Sequence, residues 1–147
     1  MKPRNRGFSL VELMITVAIV ALIAAVAVPS YRQYVMRAKR ADATGALLRL
    51  ASAQERFYLQ NNTYASEALM DDPPPNGLGI DTATERGFYV LSMDPAATAG
   101  AYVDGYTATA TADAGGEQAD DDDCVTFSVD NLGVRTATGA NTDRCWR

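Results

Sequence analysis

The residue types that could carry chemistry in this chain are few, and they do not form a catalytic set. The sequence contains no histidine, and its two cysteines, Cys124 and Cys145, are separated by 20 residues. The usual general base is therefore missing, as are a CxxC redox motif and the four ligands of a structural zinc site. Carboxylates are plentiful, but most fall in predicted loops. We expect no enzymatic activity, no cofactor and no metal centre.

The two cysteines have two possible states. In an exported protein such a pair usually forms a disulfide. A Cys124–Cys145 bond would close a loop that stabilises the fold by about 3 kcal/mol in the chain-entropy model. The alternative is a pair of unpaired buried thiols. We expect the disulfide.

The densest charge cluster is residues 120–123, which are all aspartate. Consecutive carboxylates could bind calcium, but the glycine-spaced ligand pattern of an EF-hand is absent. An acidic run is usually a solvated turn. We favour the solvated turn and keep calcium binding as the alternative.

A group of arginines with one tryptophan lies near the C-terminus: Arg135, Arg144, Arg147 and Trp146. Such a group could contact DNA phosphates if nothing opposed it. Beyond residue 41, however, the chain has six arginines, no lysine and 17 acids, a net charge of 6 − 17 = −11. An acidic domain repels polyanions. We therefore expect no nucleic-acid binding, salt bridges for the arginines, and a Trp146 packed under the loop.

Glu12 is the single acid in a long apolar segment. Residues 8–28 are 21 in number, and only Ser9, Glu12 and Thr16 among them are polar. That length can span a bilayer core, which is about 30 Å thick. Burying an ionised carboxylate in hydrocarbon costs at least about 2.5–3.5 kcal/mol. An acid here therefore indicates a function, unless it lies at head-group depth.

Three kinds of N-terminal segment are compatible with an apolar run of this length. A secretory signal has a shorter apolar core and a small-x-small cleavage site, whereas this run is longer and Val28-Pro29-Ser30 at its end is a poor site. An ordinary membrane anchor leaves Glu12 unexplained. The third possibility is a prepilin leader, because residues 1–7 carry Lys2, Arg4 and Arg6 and no acid. Such a basic leader keeps the N-terminus cytoplasmic.

Residues 7–14, with the sequence GFSLVELM, resemble the prepilin signature, and the chain thereby resembles type IV pilins. The resemblance implies that a membrane aspartyl peptidase cuts between Gly7 and Phe8, where glycine leaves room for the enzyme. It implies that the new amino group of Phe8 is methylated. It also implies that Glu12 pairs with the terminal amine of a docked neighbour during assembly.

The periodicity beyond the apolar run predicts one long helix over residues 8–59, kinked at Pro29. Apolar residues recur at helical spacing in its second half: Ala43, Leu47, Leu50, Ala51, Phe57 and Tyr58. Residues 61–63 end the helix. Residues 64–86, which include three consecutive prolines, predict a long connection.

Four strand patterns follow, over residues 87–93, 102–111, 124–130 and 134–138. In the third, Val125, Phe127 and Val129 share one face. They predict a four-stranded antiparallel sheet with one face on the helix, an α+β pilin fold. Minor pilins of the PilE type are resembled by the pattern CxxxSxDNxG at residues 124–133, by the ending DRCW at residues 143–146, and by residues 40–43 and 53–58.

These features predict a leader (residues 1–7), a transmembrane or filament-core half-helix (residues 8–30) and a periplasmic globular head (residues 31–147). The predicted function is a structural, minor subunit of a type IV pilus. A major pilin, a DNA-uptake receptor and a type II secretion pseudopilin are the alternatives, and the terminal disulfide loop argues against the last. The expected partners are other pilin subunits, prepilin peptidase and the inner-membrane assembly platform. The expected location is the inner membrane, then the extracellular pilus.

Basic residues follow the apolar run directly. Residues 31–41 carry Arg32, Arg37, Lys39 and Arg40 and no acid. This basic segment could contact lipid head groups or acids on another subunit. A solvated helix face is an equally good interpretation.

Overall fold

A computed structural model describes residues 8–95 and 102–146 of the chain. The predicted cleavage residue Gly7 and the C-terminal Arg147 lie outside the described residues. The chain divides into two compact units, one that ends at Arg37 and one that begins at Ala38. We call the second unit the head.

One helix and four strands make up the regular structure of the described residues. Helix α1 is Leu10–Asn61, and the strands are β1 (Tyr89–Pro95), β2 (Tyr106–Ala112), β3 (Thr126–Asp130) and β4 (Arg135–Thr138). Short 3₁₀ helices occur at Glu67–Leu69 and Thr142–Arg144. The predicted helix and all four predicted strands are therefore present, with ends shifted by a few residues.

In the N-terminal unit, α1 runs through Pro29 without interruption. The predicted kink at this proline stays a prediction. The helix is long and apolar enough to cross a membrane, by its length and composition.

The head is built on a sheet in which each strand pairs with its neighbour in sequence, in the order β1-β2-β3-β4, all antiparallel. Leu91, Ala110 and Phe127 lie opposite one another on three adjacent strands and are buried. They share a core with Leu47 and Leu50 of α1. The predicted α+β pilin fold, with one helix on an antiparallel sheet, is confirmed.

The prediction that Val125, Phe127 and Val129 share one face of β3 is right in part. Phe127 and Val129 are buried, but Val125 is 43% exposed. The strand begins at Thr126, and the Val125 N–H donates to the carbonyl of Thr138 at 2.7 Å. Because Val125 precedes the regular ladder, the alternation that buries Phe127 does not extend back to it.

A buried polar residue that the sequence did not reveal ties the long connection to α1. Gln54 is fully buried, and its amide both donates to the carbonyl of Ala65 and accepts from the N–H of Ala65, each at 2.8 Å. Both polar atoms of the side chain are therefore satisfied. This pairing holds the chain just after the helix ends.

Candidate functional site

The structure places Glu12 in the first turn of α1, on a helix segment with exposed side chains. A carboxylate near a helix N-terminus is favoured by the helix dipole. Thr16 Oγ1 donates to the carbonyls of Glu12 (3.1 Å) and Leu13 (2.8 Å), so this polar side chain is satisfied within the helix. Among the described residues no cation pairs with Glu12. Within residues 8–95 and 102–146, Glu12 is therefore an acid without a counter-charge.

The apolar side chains around Glu12 are exposed as well. Phe8 is 70% exposed, and the large apolar side chains of this segment range from 51% exposed at Ile19 to 73% at Leu10. Water-exposed apolar surface on this scale marks a membrane or protein contact. This half of α1 can therefore be buried in a bilayer or among other helices.

A second polar site lies where α1 enters the head. Arg40 donates two hydrogen bonds to the carboxylate of Asp121, from Nε to Oδ2 at 2.7 Å and from Nη2 to Oδ1 at 2.6 Å. Arg40 is 6% exposed and Asp121 is 3% exposed. The bonds to Asp121 raise the pKa of the guanidinium, although burial alone would lower it. This bidentate pair holds the β2–β3 loop against the helix.

Further contacts join the β2–β3 loop to α1 and to β1. Gln118 Nε2 donates to the Tyr89 hydroxyl at 2.8 Å and to Asp121 Oδ2 at 3.3 Å. Burial raises the pKa of Tyr89 above its ordinary value, since the phenolate would be poorly solvated there. Lys39 pairs with Glu117 and lies 4.6 Å from the centre of the Phe88 ring.

These contacts correct two expectations from the sequence. The aspartate run is not a solvated turn throughout, because Asp121 is buried and both of its oxygens accept from Arg40. Half of the basic segment after the apolar run is not a solvated face, because Lys39 and Arg40 bind acids of the same head. The Arg40–Asp121 pair joins residues 81 positions apart, so no local pattern could have indicated it.

Within residues 8–95 and 102–146, no cluster of three or more acids, cysteines or histidines could hold a metal ion.

Cys124 and Cys145 form a disulfide, as predicted, with Cα atoms 5.7 Å apart. Both residues are buried in the core of the head. The loop that they close is also held by the Asn141 side chain, which donates to Asp123 Oδ1 at 2.5 Å.

The C-terminal arginines are placed differently from the prediction. In the part of the chain that the structure describes, neither Arg135 nor Arg144 forms an ion pair, so the salt bridges expected for them are not present. Arg135 instead lies over the Trp146 ring, 5.3 Å from its centre. Trp146 makes a T-shaped contact with Phe127 of β3, and its Nε1 donates to the carbonyl of Thr136 of β4 at 2.7 Å.

Two family models match the chain over consecutive stretches. One, described as a prokaryotic N-terminal methylation motif, matches residues 2–28. The other, described as the type IV minor pilin ComP, DNA uptake sequence receptor, matches residues 29–128, which is more than half of the chain. The chain belongs to this type IV pilin family. The prepilin signature and the pilin resemblance are thereby confirmed.

Curated relatives of this pilin include both major pilins and fimbrial proteins. The type IV major pilin protein PilA of Myxococcus xanthus is 42% identical over 58% of this chain and 34% of its own length. A fimbrial protein of Neisseria meningitidis serogroup A is 34% identical over 64% of this chain and 52% of its own length. The pilin thus spans about a third to a half of the length of these relatives.

A solved structure supports the fold. The non-core minor pilin PilV of Neisseria meningitidis matches 74% of this pilin and 92% of its own chain, with a TM-score of 0.50 and 16% sequence identity. At this identity the likeness concerns the fold alone.

Proposed function

We propose that this pilin is a minor structural subunit of a type IV pilus. The observation that carries the proposal is the exposed apolar half of α1 with Glu12 as its one acid. Such a surface needs a bilayer first and other helices later. The head has its own core and no catalytic set among its described residues, which supports a structural role over an enzymatic one.

Processing at the N-terminus is the first step of the proposal. Prepilin peptidase removes residues 1–7 between Gly7 and Phe8, and the amino group of Phe8 is methylated. The match of residues 2–28 to the N-terminal methylation motif supports this step. The chain then stays in the inner membrane through residues 8–30, with residues 31–147 in the periplasm, until the assembly platform moves it into the extracellular filament.

Glu12 then directs assembly. In a filament core both the amine of Phe8 and the carboxylate of Glu12 leave water, and an isolated buried charge is prohibitive, whereas a paired charge is tolerable. Within one helix the amine points away along the axis, so the pair forms between subunits. Pairing fixes the register of each incoming subunit.

The test is to replace Glu12 and to measure leader cleavage, membrane association and incorporation into pili. Glu12→Ala should still be cut and should still be extracted with the membrane, because removing a charge eases insertion. It should be missing from sheared pili, because the neighbour's buried amine loses its counter-charge. Ser9→Ala, a polar-to-apolar change in the same segment without loss of charge, is the matched control and should enter pili. Normal incorporation of Glu12→Ala would contradict the pairing role.

The abundance of the subunit separates a minor pilin from a major one. The description of the matching family model supports the minor class, while the relatives include major pilins. Quantitative mass spectrometry of sheared pili should find a small fraction of the subunits. A dominant share would instead identify the chain as the major pilin.

DNA binding is a second candidate function, and one observation favours it. Arg135 and Arg144 are exposed, and among the described residues neither forms an ion pair. The matching model is described as a DNA uptake sequence receptor, but its match ends at residue 128, before either arginine. The net charge of −11 beyond residue 41 opposes phosphate binding.

A salt-dependent mobility shift with duplex DNA tests this second candidate. Binding that weakens steeply with salt, and that Arg135→Gln with Arg144→Gln removes, would support a receptor role. Arg49→Gln with Arg56→Gln makes the same charge change on α1 and is the control. No shift at low salt would rule out this function for the chain alone.

A further inference from the structure

Four exposed side chains directly follow the apolar run. Tyr31 and Tyr34 are 69% and 70% exposed, and Arg32 and Arg37 are exposed as well. Within the described residues neither arginine forms an ion pair. Lys39 and Arg40 differ in this respect, because acids of the head bind both. The positive charge still available between residues 31 and 40 therefore belongs to Arg32 and Arg37.

Their position along α1 places them at a bilayer surface. At about 1.5 Å per residue, residues 8–28 extend about 31 Å, which matches a hydrocarbon core about 30 Å thick. Arg32 then lies about 6 Å beyond the core, within a head-group layer about 5–8 Å thick. Arg37 lies farther out, and its long side chain can extend back toward the phosphates. Tyrosines are enriched at this depth because they combine an apolar ring with a polar hydroxyl.

Their distribution around α1 distinguishes a membrane from a protein partner. At about 100° per residue, Tyr31, Arg32, Arg37 and Tyr34 lie at about 0°, 100°, 240° and 300°, so no gap between them exceeds about 140°. Before the subunit enters a filament, a single partner protein would contact one side of the helix. A bilayer surrounds the helix on all sides, as these four residues do.

We propose that these four residues form an interfacial collar that binds the phosphates of anionic phospholipids before the subunit enters a filament. The acidic head is repelled by an anionic membrane surface, and the collar supplies the opposing attraction that fixes the depth of α1. This inference rests on the proposed membrane-spanning state of residues 8–28.

Spin-labelled lipids provide the test. The full chain is reconstituted in phosphatidylcholine vesicles that contain spin-labelled phosphatidylglycerol or spin-labelled phosphatidylcholine, and the fraction of immobilised label is measured by electron paramagnetic resonance. Wild type should prefer phosphatidylglycerol. Arg32→Gln with Arg37→Gln should reduce that preference by up to about fivefold per arginine. The leader cations are present in every variant, so the difference between variants reports on the collar.

Two controls sharpen the result. Arg135→Gln with Arg144→Gln makes the same charge change in the head and should leave the preference unchanged. Exchange of chloride for inorganic phosphate at equal ionic strength should also leave it unchanged, since a free phosphate lacks the adjoining bilayer. Loss of the preference in phosphate would show a simple anion site and overturn the assignment to lipid.

Failure of the collar and failure of the membrane state give different results. A chain that is released by alkaline extraction from the vesicles was never inserted, and the proposed membrane state is then wrong. An inserted chain without a preference for phosphatidylglycerol overturns the collar alone. If the double variant keeps its lipid preference but disappears from pili, the arginines contact protein and the lipid assignment is wrong.

Discussion

Arg40 and Asp121 show how much one buried pair can decide at the scale of single residues. Each is almost fully buried, their charges are opposite, and both carboxylate oxygens of Asp121 accept a hydrogen bond from Arg40. A buried ion pair adds little net stability compared with an apolar pair of the same volume, but removal of one partner is costly because the other charge stays buried. The pair therefore makes the packing of the β2–β3 loop on α1 specific.

This reasoning predicts the effect of Arg40→Met. The free energy of unfolding should fall by about 3–5 kcal/mol, because Asp121 is left buried without a counter-charge. Arg40→Met with Asp121→Leu should recover most of that loss. Denaturant unfolding of the chain in detergent measures both, with Arg49→Met as the control, since the Arg49–Glu85 pair is exposed and should contribute less than about 1 kcal/mol. A double variant as unstable as Arg40→Met would contradict the argument.

The buried hydroxyl of Tyr106 should lower the stability of the head at alkaline pH. Burial raises the pKa of its hydroxyl well above the ordinary value of 10.0, so the folded head favours the neutral phenol. That contribution is fully present below the unfolded pKa and is lost as pH rises toward the folded pKa. The free energy of unfolding should therefore decline above about pH 10. Tyr106→Phe should flatten this decline, whereas Tyr31→Phe, at an exposed position, should not; equal slopes in both variants would contradict the assignment.

At the scale of elements, the disulfide holds the end of the chain against the last two strands. Trp146 follows Cys145 directly and packs on Phe127 of β3 while its indole N–H bonds to Thr136 of β4. Gly139 lies in the same loop with φ +137°, and any side chain there would collide with the backbone of Asp123. The short strand β4 thus depends on the loop that follows it.

The bond should be complete in the native protein. Alkylation of unreduced, denatured protein should modify neither Cys124 nor Cys145, and mass spectrometry counts the added groups. After reduction both should react. Cys145→Ser should lower the free energy of unfolding by about 2–5 kcal/mol, the usual loss for a native disulfide. Two alkylated cysteines without reduction would refute the pairing.

At the scale of the whole molecule, the described part of the N-terminal unit and the head differ in how much surface they bury. Residues 8–34 are exposed throughout, whereas the head encloses a core to which α1, the connection and the strands β1, β2 and β3 contribute. The first unit can be stable only in a bilayer or in contact with other chains. The proposed processing and assembly steps therefore concern that unit.

Gly7→Val tests this division of roles. The side chain should crowd the peptidase cleft, so the leader should be retained and the mass should exceed that of the mature protein by residues 1–7. The head should fold normally, with its disulfide formed, because Gly7 precedes every described element. Intact mass spectrometry reads both results. A fully processed Gly7→Val protein would refute the proposed cleavage position.

Local patterns in the sequence determined most of the architecture of this pilin. The apolar run and its one acid, Glu12, the helical spacing of Leu47 and Leu50, and the alternation in β2 each arise from residues that are close in sequence. Helix and strand periodicities depend only on such neighbours. For the same reason the GFSLVELM motif was sufficient to predict the family.

Only the tertiary structure decided which charges the head uses internally. Arg40 and Asp121 are 81 residues apart, and in the sequence each stands among like charges that suggest solvent exposure. The partner of Gln54 and the separation of Lys39 and Arg40 from Arg32 and Arg37 were equally invisible. A charge is paired or free according to what the fold brings within about 4 Å of it, and that distance is set by the packing of α1 on the sheet, which no spacing along the chain encodes.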